Sequence, residues 1–284
     1  MVDLSQEPTF ATSRDGTRIA MHRFGGEGPL LVVVHATGFH ARCYLPLIPT
    51  LASRFTVVGV DLRGHGASQI DDDAEFVWDD FADDLLAVVD RLGGGPVVAF
   101  GHSMGAATVL LAESKRPGTF SRAWLYEPII FPSEIGPRNG FMADNARKRR
   151  YEFGSRAEAL HRYAGRPPLN VWRADALAAY VEHGFVDTGQ DTVRLACRPV
   201  HEAMTFTGAR IAVSAVADVT MPLVIARGQI GVGANAAAEH SDGTAAALAG
   251  ATLKVYERIG HFGPFETPDV IAEDALAFLS ASTT

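Results

Sequence analysis

Residues 97–105 read Val-Val-Ala-Phe-Gly-His-Ser-Met-Gly, and this stretch decides the fold. Its four apolar residues predict a buried strand, and Gly101-His102-Ser103-Met104-Gly105 matches the pattern Gly-x-Ser-x-Gly. Residues 104–115 predict a helix that begins directly after the serine. A strand that turns straight into a helix strains its central residue, and side chains two positions to either side would collide. The glycines therefore indicate a sharp turn that presents the Ser103 hydroxyl at the end of the strand.

Strands and helices alternate along much of the chain. Short, continuously apolar runs predict strands buried on both faces, which are typical of a parallel sheet covered by helices. The runs are residues 30–34, 55–60, 96–100 and 222–226, with weaker ones at 123–126 and 252–256. The helical windows are residues 81–92, 104–115 and 271–279. A hairpin around Asp15-Gly16 is predicted to pair residues 9–12 with residues 18–23.

Residues 133–206 break this alternation. The segment is rich in arginine, tyrosine and helix-forming residues, and it lacks the strong β-branched runs found elsewhere. Its helical windows are residues 140–153, 157–163, 174–183 and 199–205. We predict a core of residues 1–132 and 207–284, with residues 133–206 inserted as a helical lid over the carboxyl edge of the sheet. The alternative is that the segment continues the doubly wound sheet.

His261 is the candidate base for Ser103. A serine hydroxyl is a poor nucleophile near neutral pH, so it needs a neighbouring base. Among the ten histidines, His261 alone follows a predicted strand, lies in a loop and precedes a predicted helix. The surrounding sequence, Gly260-His261-Phe262-Gly263-Pro264, would hold the imidazole in a loop at the carboxyl edge of the sheet. The alternative is an ordinary surface histidine.

With these motifs the chain resembles the α/β-hydrolase family, in particular its lid-bearing esterases, lipases and lactonases, over nearly its whole length. Residues 35–39, His-Ala-Thr-Gly-Phe, and residues 61–68, Asp-Leu-Arg-Gly-His-Gly-Ala-Ser, also carry the resemblance. It implies an α/β-hydrolase fold, with a mostly parallel sheet, helices on both faces and a helical lid. It also implies that the backbone N–H groups of Thr37 and Met104 form an oxyanion hole.

The acid that would orient His261 departs from the usual family pattern. The family most often takes an aspartate from the loop after the strand at 222–226, where this chain has Gly231. Other members take it from the end of the strand after the nucleophile helix, where this chain has Glu127. A carboxylate buried there would need a partner, and His261 would supply one. We therefore predict Glu127 as the acid. The alternatives are Asp218, Glu239, Asp242 and a Ser–His pair without an acid.

These residues predict a serine hydrolase that cleaves a carboxylic ester or lactone through an acyl-enzyme on Ser103. The lid carries aromatic residues that could wall an apolar pocket: Phe141, Tyr151, Phe153, Trp172, Tyr180 and Phe185. A serine nucleophile argues against epoxide hydrolysis and dehalogenation, which use aspartate in this fold. Thioester cleavage, carbon–carbon bond hydrolysis and cofactor-free peroxidation stay open. Because Gly231 replaces the usual aspartate, a non-catalytic ligand-binding or receptor module also stays open.

Composition argues against several other classes of protein. The net charge of −8 and the pI near 5.7 disfavour nucleic acid and anionic membranes as partners. No cluster has metal-ligand spacing, so neither a metal nor another cofactor is expected, and residues 147–150, Arg-Lys-Arg-Arg, are interpreted as a solvated part of a lid helix. Cys43 and Cys197 are expected to be free thiols, although they could pair. Without a secretory signal or a membrane-spanning run, the chain is expected to be cytoplasmic, with a homodimer possible.

Overall fold

The computed structural model describes residues 6–68, 70–71, 74–133, 140–209, 211–229 and 236–281. The strands are β1 (Thr9–Thr12), β2 (Arg18–Gly25), β3 (Leu30–Val34), β4 (Thr56–Asp61), β5 (Val97–His102), β6 (Phe120–Tyr126), β7 (Glu152–Phe153), β8 (Phe185–Asp187), β9 (Val193–Leu195), β10 (Leu223–Gly228) and β11 (Ala251–Tyr256). The helices are α1 (Ile48–Leu51), α2 (Trp78–Arg91), α3 (Met104–Lys115), α4 (Phe141–Arg147), α5 (Arg156–Ala164), α6 (Ala174–His183), α7 (Pro199–Gly208), α8 (Ala236–Ala247), α9 (Gly263–Glu266) and α10 (Pro268–Leu279).

Eight strands form one sheet in the order β1-β2-β4-β3-β5-β6-β10-β11. The hairpin strands β1 and β2 are antiparallel to each other, and β2 pairs antiparallel with β4. The other neighbours pair in parallel, so the carboxyl ends of β3, β5, β6, β10 and β11 lie along one edge. The predicted strands and the hairpin are confirmed, and the loops at this edge carry the candidate site.

Both faces of the sheet are covered, which explains the continuously apolar strands. Along β3, Leu31 and Val33 belong to one buried apolar cluster, while Val32 and Val34 belong to another. The first cluster includes residues from α1 and α10, and the second includes residues from α2 and α3. Because side chains alternate across a strand, each of these four residues packs against the helices on one face of the sheet. The prediction of a mostly parallel sheet with helices on both faces is confirmed.

The segment predicted as a lid, residues 133–206, adds no strand to the large sheet within its described part. It contains helices α4 to α7, near the predicted windows, and it also contains a small antiparallel sheet in the order β7-β9-β8. The prediction of a helical insertion did not include this small sheet. Strands of two or three residues are too short to show a period of two in the sequence. That the segment acts as a lid stays a prediction.

Two further expectations concern membranes and cysteines. Among the residues that the structure describes, no helix has the length and apolar character needed to cross a bilayer. Cys43 and Cys197 are both free and buried. Burial raises the pKa of each thiol well above its usual value, so both are held as neutral thiols.

Candidate active site

Ser103 stands at a sharp turn between β5 and α3. Its backbone has φ 56° and ψ −114°, a conformation that residues other than glycine rarely adopt. The two glycines permit this turn: a Cβ on Gly101 would lie 2.6 Å from Cα of Ala106, and one on Gly105 would collide with the carbonyl oxygen of Val34. The glycine pattern therefore has the steric origin that the sequence indicates.

Replacing Gly105 with alanine is expected to destabilise the protein by about 3 kcal/mol or more, because the new methyl group meets rigid backbone. Urea denaturation followed by circular dichroism measures the change. The matched control is Gly243→Ala in α8, where an added Cβ meets no atom within 4 Å. That variant should be as stable as the parent or up to about 1 kcal/mol more stable. Equal stability for both variants would contradict this steric explanation.

The structure brings Ser103, His261 and Glu127 together at the carboxyl edge of the sheet. The Ser103 hydroxyl lies 3.2 Å from Nε2 of His261, and Nδ1 of His261 lies 2.6 Å from Oε2 of Glu127. A carboxylate can only accept, so Nδ1–H donates to Glu127, and Nε2 is left to accept from the serine. The three side chains come from the ends of β5 and β6 and from the loop after β11. Their arrangement has the geometry of a nucleophile, a base and an orienting acid.

Glu127 is fully buried and directly follows β6, with φ 44°. Its second oxygen, Oε1, accepts the backbone N–H of Gly228 at 2.9 Å. The two contacts hold the carboxylate between the His261 loop and the end of β10. A buried carboxylate needs such donors, and these two contacts supply them.

The alternative acids lie elsewhere or outside the described part. Asp218 is exposed after a 3₁₀ helix, and Asp242 forms an ion pair with Arg227 at 2.6 Å. The side chain of Glu239 and the whole of Gly231 lie outside the described residues. Glu127 is therefore the carboxylate that the structure places against His261.

The loop after β3 is anchored on both sides of Thr37. The N–H of Ala36 donates to the Tyr44 hydroxyl at 3.1 Å, and the N–H of Gly38 donates to Nε2 of His65 at 3.0 Å. In the described part of the chain, the N–H of Thr37 donates to no protein acceptor. Thr37 therefore presents a spare donor between two fixed peptides.

Met104 is the first residue of α3, so its N–H has no partner within the helix. Across the described residues, this group likewise donates to no other acceptor. The start of α3 lies beside the loop after β3, because a Cβ on Gly105 would lie 2.7 Å from the carbonyl oxygen of His35. Thr37 and Met104 thus offer free backbone donors from neighbouring segments, and their role as an oxyanion hole stays a prediction.

A group of buried histidines surrounds Asp61 behind this loop. His22 donates from Nε2 to Oδ2 of Asp61 at 2.8 Å. Although burial opposes it, this bond lowers the pKa of Asp61. Burial also lowers the pKa of His40 to about 4 and that of His65 to about 3. His65 is therefore neutral near pH 7, as it must be to accept the N–H of Gly38.

Acidification below pH 6.5 is expected to destabilise the protein. The unfolded chain binds a proton on each histidine near pH 6.5, whereas folded His40 and His65 stay neutral until about pH 4 and 3. The unfolded state therefore binds more protons in this window, and stability falls with falling pH. At pH 5 each residue contributes a loss of about 2 kcal/mol relative to pH 7. Urea denaturation at the two pH values measures it.

His65→Gln is the matched variant for this pH effect. Glutamine can still accept the N–H of Gly38, but it does not titrate. The variant should lose less stability between pH 7 and pH 5 than the parent does. If the parent's free energy of unfolding is the same at both values, the proposed neutral state of these histidines is wrong.

Arg149 and Glu202 form an ion pair against the loop after β3. A Cβ on Gly38 would lie 2.8 Å from Oε1 of Glu202 and 3.2 Å from Nη1 of Arg149, and Arg149 also donates to the Tyr180 hydroxyl at 2.6 Å. The side chain of Arg149 is only 21% exposed. The interpretation of residues 147–150 as a solvated helix is wrong for Arg149, because α4 ends at Arg147. No sequence signal links two residues that lie 53 positions apart.

The aromatic residues predicted to line a pocket separate into two groups. Trp172 packs on Phe39, on Phe262 and, with ring centroids 4.0 Å apart, on Phe265. The buried members of the predicted set are Phe153, Trp172, Tyr180 and Phe185, with Tyr151 partly buried. Phe141 is 78% exposed at the start of α4, so it does not belong to this buried group. The cluster reaches the loop of His261 through Phe262, which supports an apolar wall beside the site.

No group of three or more potential metal-ligating side chains is found among the described residues. Of the histidines around Asp61, His22 bonds to its carboxylate, whereas His35, His40 and His65 bond to backbone groups, as in the bond from the N–H of Leu62 to Nε2 of His35 at 2.9 Å. Their arrangement is explained by support of the loop after β3.

Comparison with known proteins yields concordant matches. A model described as the alpha/beta hydrolase family matches residues 31–274. The 2-(acetamidomethylene)succinate hydrolase of Mesorhizobium japonicum is 31% identical over 236 residues, which are 80% of each chain. A crystal structure of E-2-(acetamidomethylene)succinate hydrolase matches with a TM-score of 0.78 and 24% identity, covering 97% of this chain and 99% of that one. The esterase RhEst1 from Rhodococcus sp. ECU1013 matches with a TM-score of 0.72 and 19% identity, covering 97% and 99%.

Proposed function

Because this chain belongs to the alpha/beta hydrolase family and is a hydrolase of that fold, we propose that it cleaves a carboxylic ester or lactone through an acyl-enzyme on Ser103. The observation that carries the proposal is the hydrogen-bonded series from Ser103 to His261 to Glu127, at 3.2 and 2.6 Å. The spare N–H groups of Thr37 and Met104 support it, since acyl transfer passes through a negatively charged oxygen.

The proposed reaction has two acyl-transfer steps. Nε2 of His261 takes the Ser103 proton as the serine oxygen attacks the carbonyl carbon. Glu127 stabilises the resulting imidazolium, and the amides of Thr37 and Met104 hold the oxyanion. Collapse of the intermediate breaks the bond to the leaving alcohol, which receives the proton from His261. Water then attacks the acyl carbon while giving a proton to His261. The bond from the acyl carbon to the Ser103 oxygen breaks as His261 returns that proton to the oxygen, which releases the acid and restores the serine hydroxyl.

Turnover of p-nitrophenyl esters, combined with fluorophosphonate labelling and peptide mass spectrometry, tests this function. The proposal expects turnover, a burst of p-nitrophenol where deacylation is slow, and a label on the peptide carrying Ser103. A panel of lactones, thioesters and diketones then separates ester hydrolysis from the thioester and carbon–carbon alternatives. Absence of both turnover and label would contradict the proposal and favour a non-catalytic binding or receptor module.

A second candidate substrate class is an N-acylated, carboxylate-bearing compound. Two observations favour it. The relative from Mesorhizobium japonicum is named for hydrolysis of an acetamido compound of succinate. In addition, Arg149 places a guanidinium against Gly38, next to the proposed oxyanion donor Thr37. Arginine has five N–H groups, so pairing with Glu202, Tyr180 and Tyr163 still leaves donors for a substrate carboxylate.

The two substrate classes are separated by comparing kcat/KM for E-2-(acetamidomethylene)succinate with that for p-nitrophenyl acetate, in the parent and in Arg149→Met. If the acidic substrate is the natural one, it is the better substrate by at least 100-fold, and the substitution removes that preference. If the neutral ester instead has the higher kcat/KM, and Arg149→Met does not change the ratio between the two substrates, the proposed ester or lactone specificity is favoured.

A further inference from the structure

A buried series of hydrogen bonds links the loop of His261 to the loop after β3. His102, which directly precedes Ser103, lies with Nε2 2.8 Å from the carbonyl oxygen of His261. Its other ring nitrogen, Nδ1, lies 2.8 Å from the Tyr44 hydroxyl. The same hydroxyl receives the N–H of Ala36 at 3.1 Å. Neither His102 nor Tyr44 has any exposed surface.

The direction of every bond in this series is fixed. The carbonyl of His261 can only accept, so His102 donates from Nε2–H. In a neutral ring Nδ1 is then an acceptor, so the Tyr44 O–H donates to it. The tyrosine oxygen is left to accept from Ala36, whose N–H can only donate. Burial lowers the pKa of His102 well below its usual value, and the nearby His261 adds to this, so the ring is neutral.

We propose that His102 and Tyr44 are positioning residues that couple the loop of His261, called here the base loop, to the loop after β3, called here the oxyanion loop. This inference rests on the proposed function of Ser103, His261 and Thr37. The peptide of Ala36 precedes that of Thr37, so the hydroxyl that fixes Ala36 sets the position of the neighbouring spare donor. At the other end, the bond from His102 sets the backbone of His261. One buried series thereby sets the base and the oxyanion donor relative to each other.

Separate anchors on each loop show what the series adds. Tyr126, in β6, donates to the carbonyl of Gly260 at 2.6 Å, and this bond holds the base loop but does not reach the oxyanion loop. His65, in the turn after β4, accepts the N–H of Gly38, and this bond holds the oxyanion loop but does not reach the base loop. The series through His102 and Tyr44 spans both loops. Packing by itself does not require the hydroxyl, since the Tyr44 ring lies against Phe265 with centroids 4.8 Å apart.

Tyr44→Phe keeps that ring contact and removes both hydroxyl bonds. We expect kcat for a p-nitrophenyl ester to fall about tenfold, because displacing an oxyanion donor costs part of its catalytic effect. KM should stay within about twofold. The inhibition constant of a trifluoromethyl ketone, which forms a tetrahedral adduct with the serine, should rise by the same factor as kcat falls. Thermal melting establishes that the variant is folded.

His102→Gln provides the second arm of the test. Its amide can still donate to the carbonyl of His261, but the bond from Tyr44 is lost. Both single variants break the same link, so the double variant should be no slower than the worse single variant by more than about twofold. Tyr256→Phe is the matched control, because it loses a hydroxyl that donates to the side chain of Asp274 in α10 at 2.7 Å and, among the described residues, to neither loop. Its kcat should equal that of the parent.

The parent's turnover and its label on Ser103 test the proposed function separately from this coupling. With both present, folded variants that keep the parent's kcat and inhibition constant would overturn the coupling. Losses that multiply in the double variant, or a rise in KM alone, would also overturn it. Should Tyr44→Phe fail to fold, His102→Asn carries the test. It keeps an acceptor for Tyr44 and loses the bond to His261, and it is expected to lower kcat with KM unchanged.

Discussion

Ser103→Ala is expected to lower kcat by a factor of about 10⁵ while leaving the protein as stable as the parent. Without the hydroxyl no acyl-enzyme can form, and only binding and the oxyanion donors are left to act on the substrate. The loss follows from the 3.2 Å contact between Ser103 and His261, since the base then has no nucleophile to activate. Stopped-flow and steady-state assays with p-nitrophenyl esters measure the rate, and fluorophosphonate labelling should disappear with it.

The matched control for this substitution is Ser114→Ala in the same helix. Ser114 is partly buried near the end of α3, and its hydroxyl donates to the carbonyl of Ala215 at 2.9 Å, so it has no contact with the site. It should keep both turnover and the label. A Ser103→Ala protein that retains more than about a hundredth of the parent's kcat would show that the chemistry uses another nucleophile.

Glu127→Gln is expected to lower kcat by a factor of about 10⁴ with little change in the free energy of unfolding. The amide oxygen of glutamine can still accept the N–H of Gly228. Its NH₂ group, however, donates to Nδ1 of His261 and so favours the tautomer that carries hydrogen on Nε2. In that tautomer the imidazole cannot accept the proton of Ser103. The pre-steady-state acylation rate measures the effect directly.

Two substitutions bracket this prediction. Glu113→Gln alters another buried carboxylate, which holds the backbone N–H groups of Gly118 and Phe120 at 2.7 and 2.9 Å. It is expected to change stability without changing kcat. Asp242→Asn removes the carboxylate of an alternative candidate for the acid, and it is expected to keep full activity. Loss of activity in Asp242→Asn together with normal acylation in Glu127→Gln would move the acid to α8.

The large sheet was predictable because its strands are buried on both faces. Runs such as Leu30–Val34 contain no polar residue to interrupt them, so burial is visible in the sequence itself. The small sheet of β7, β8 and β9 was not predictable, because its strands have at most three residues. Helix α8 was missed because half of its residues are alanine and none is a large apolar residue that would mark a buried face.

The site was predictable where a role depends on local sequence. Ser103 and His261 lie in loops whose glycines and flanking elements reveal them, and Glu127 is conspicuous as a carboxylate that ends an apolar strand. The supporting residues have no such signal. His102 and Tyr44 are 58 positions apart, and their hydrogen bond depends on the fold as a whole. The two side chains were visible in the sequence, but their contact was not.

The position of Glu127 has a consequence for how this protein can diverge. With the proposed acid at the end of β6, β10 contacts Glu127 through backbone groups: the N–H of Gly228 donates to Oε1, and the carbonyl of Ala226 accepts the N–H of Glu127. Position 228 is confined to glycine, because a Cβ there would lie 2.3 Å from the carbonyl oxygen of Ile259. An acid carried in the loop after β10 would fix the length of that loop, because the carboxylate would have to reach His261. With the proposed acid on β6 instead, the loop after β10 can change in length without displacing that acid, provided that Gly228 is kept, so new surface can be added there.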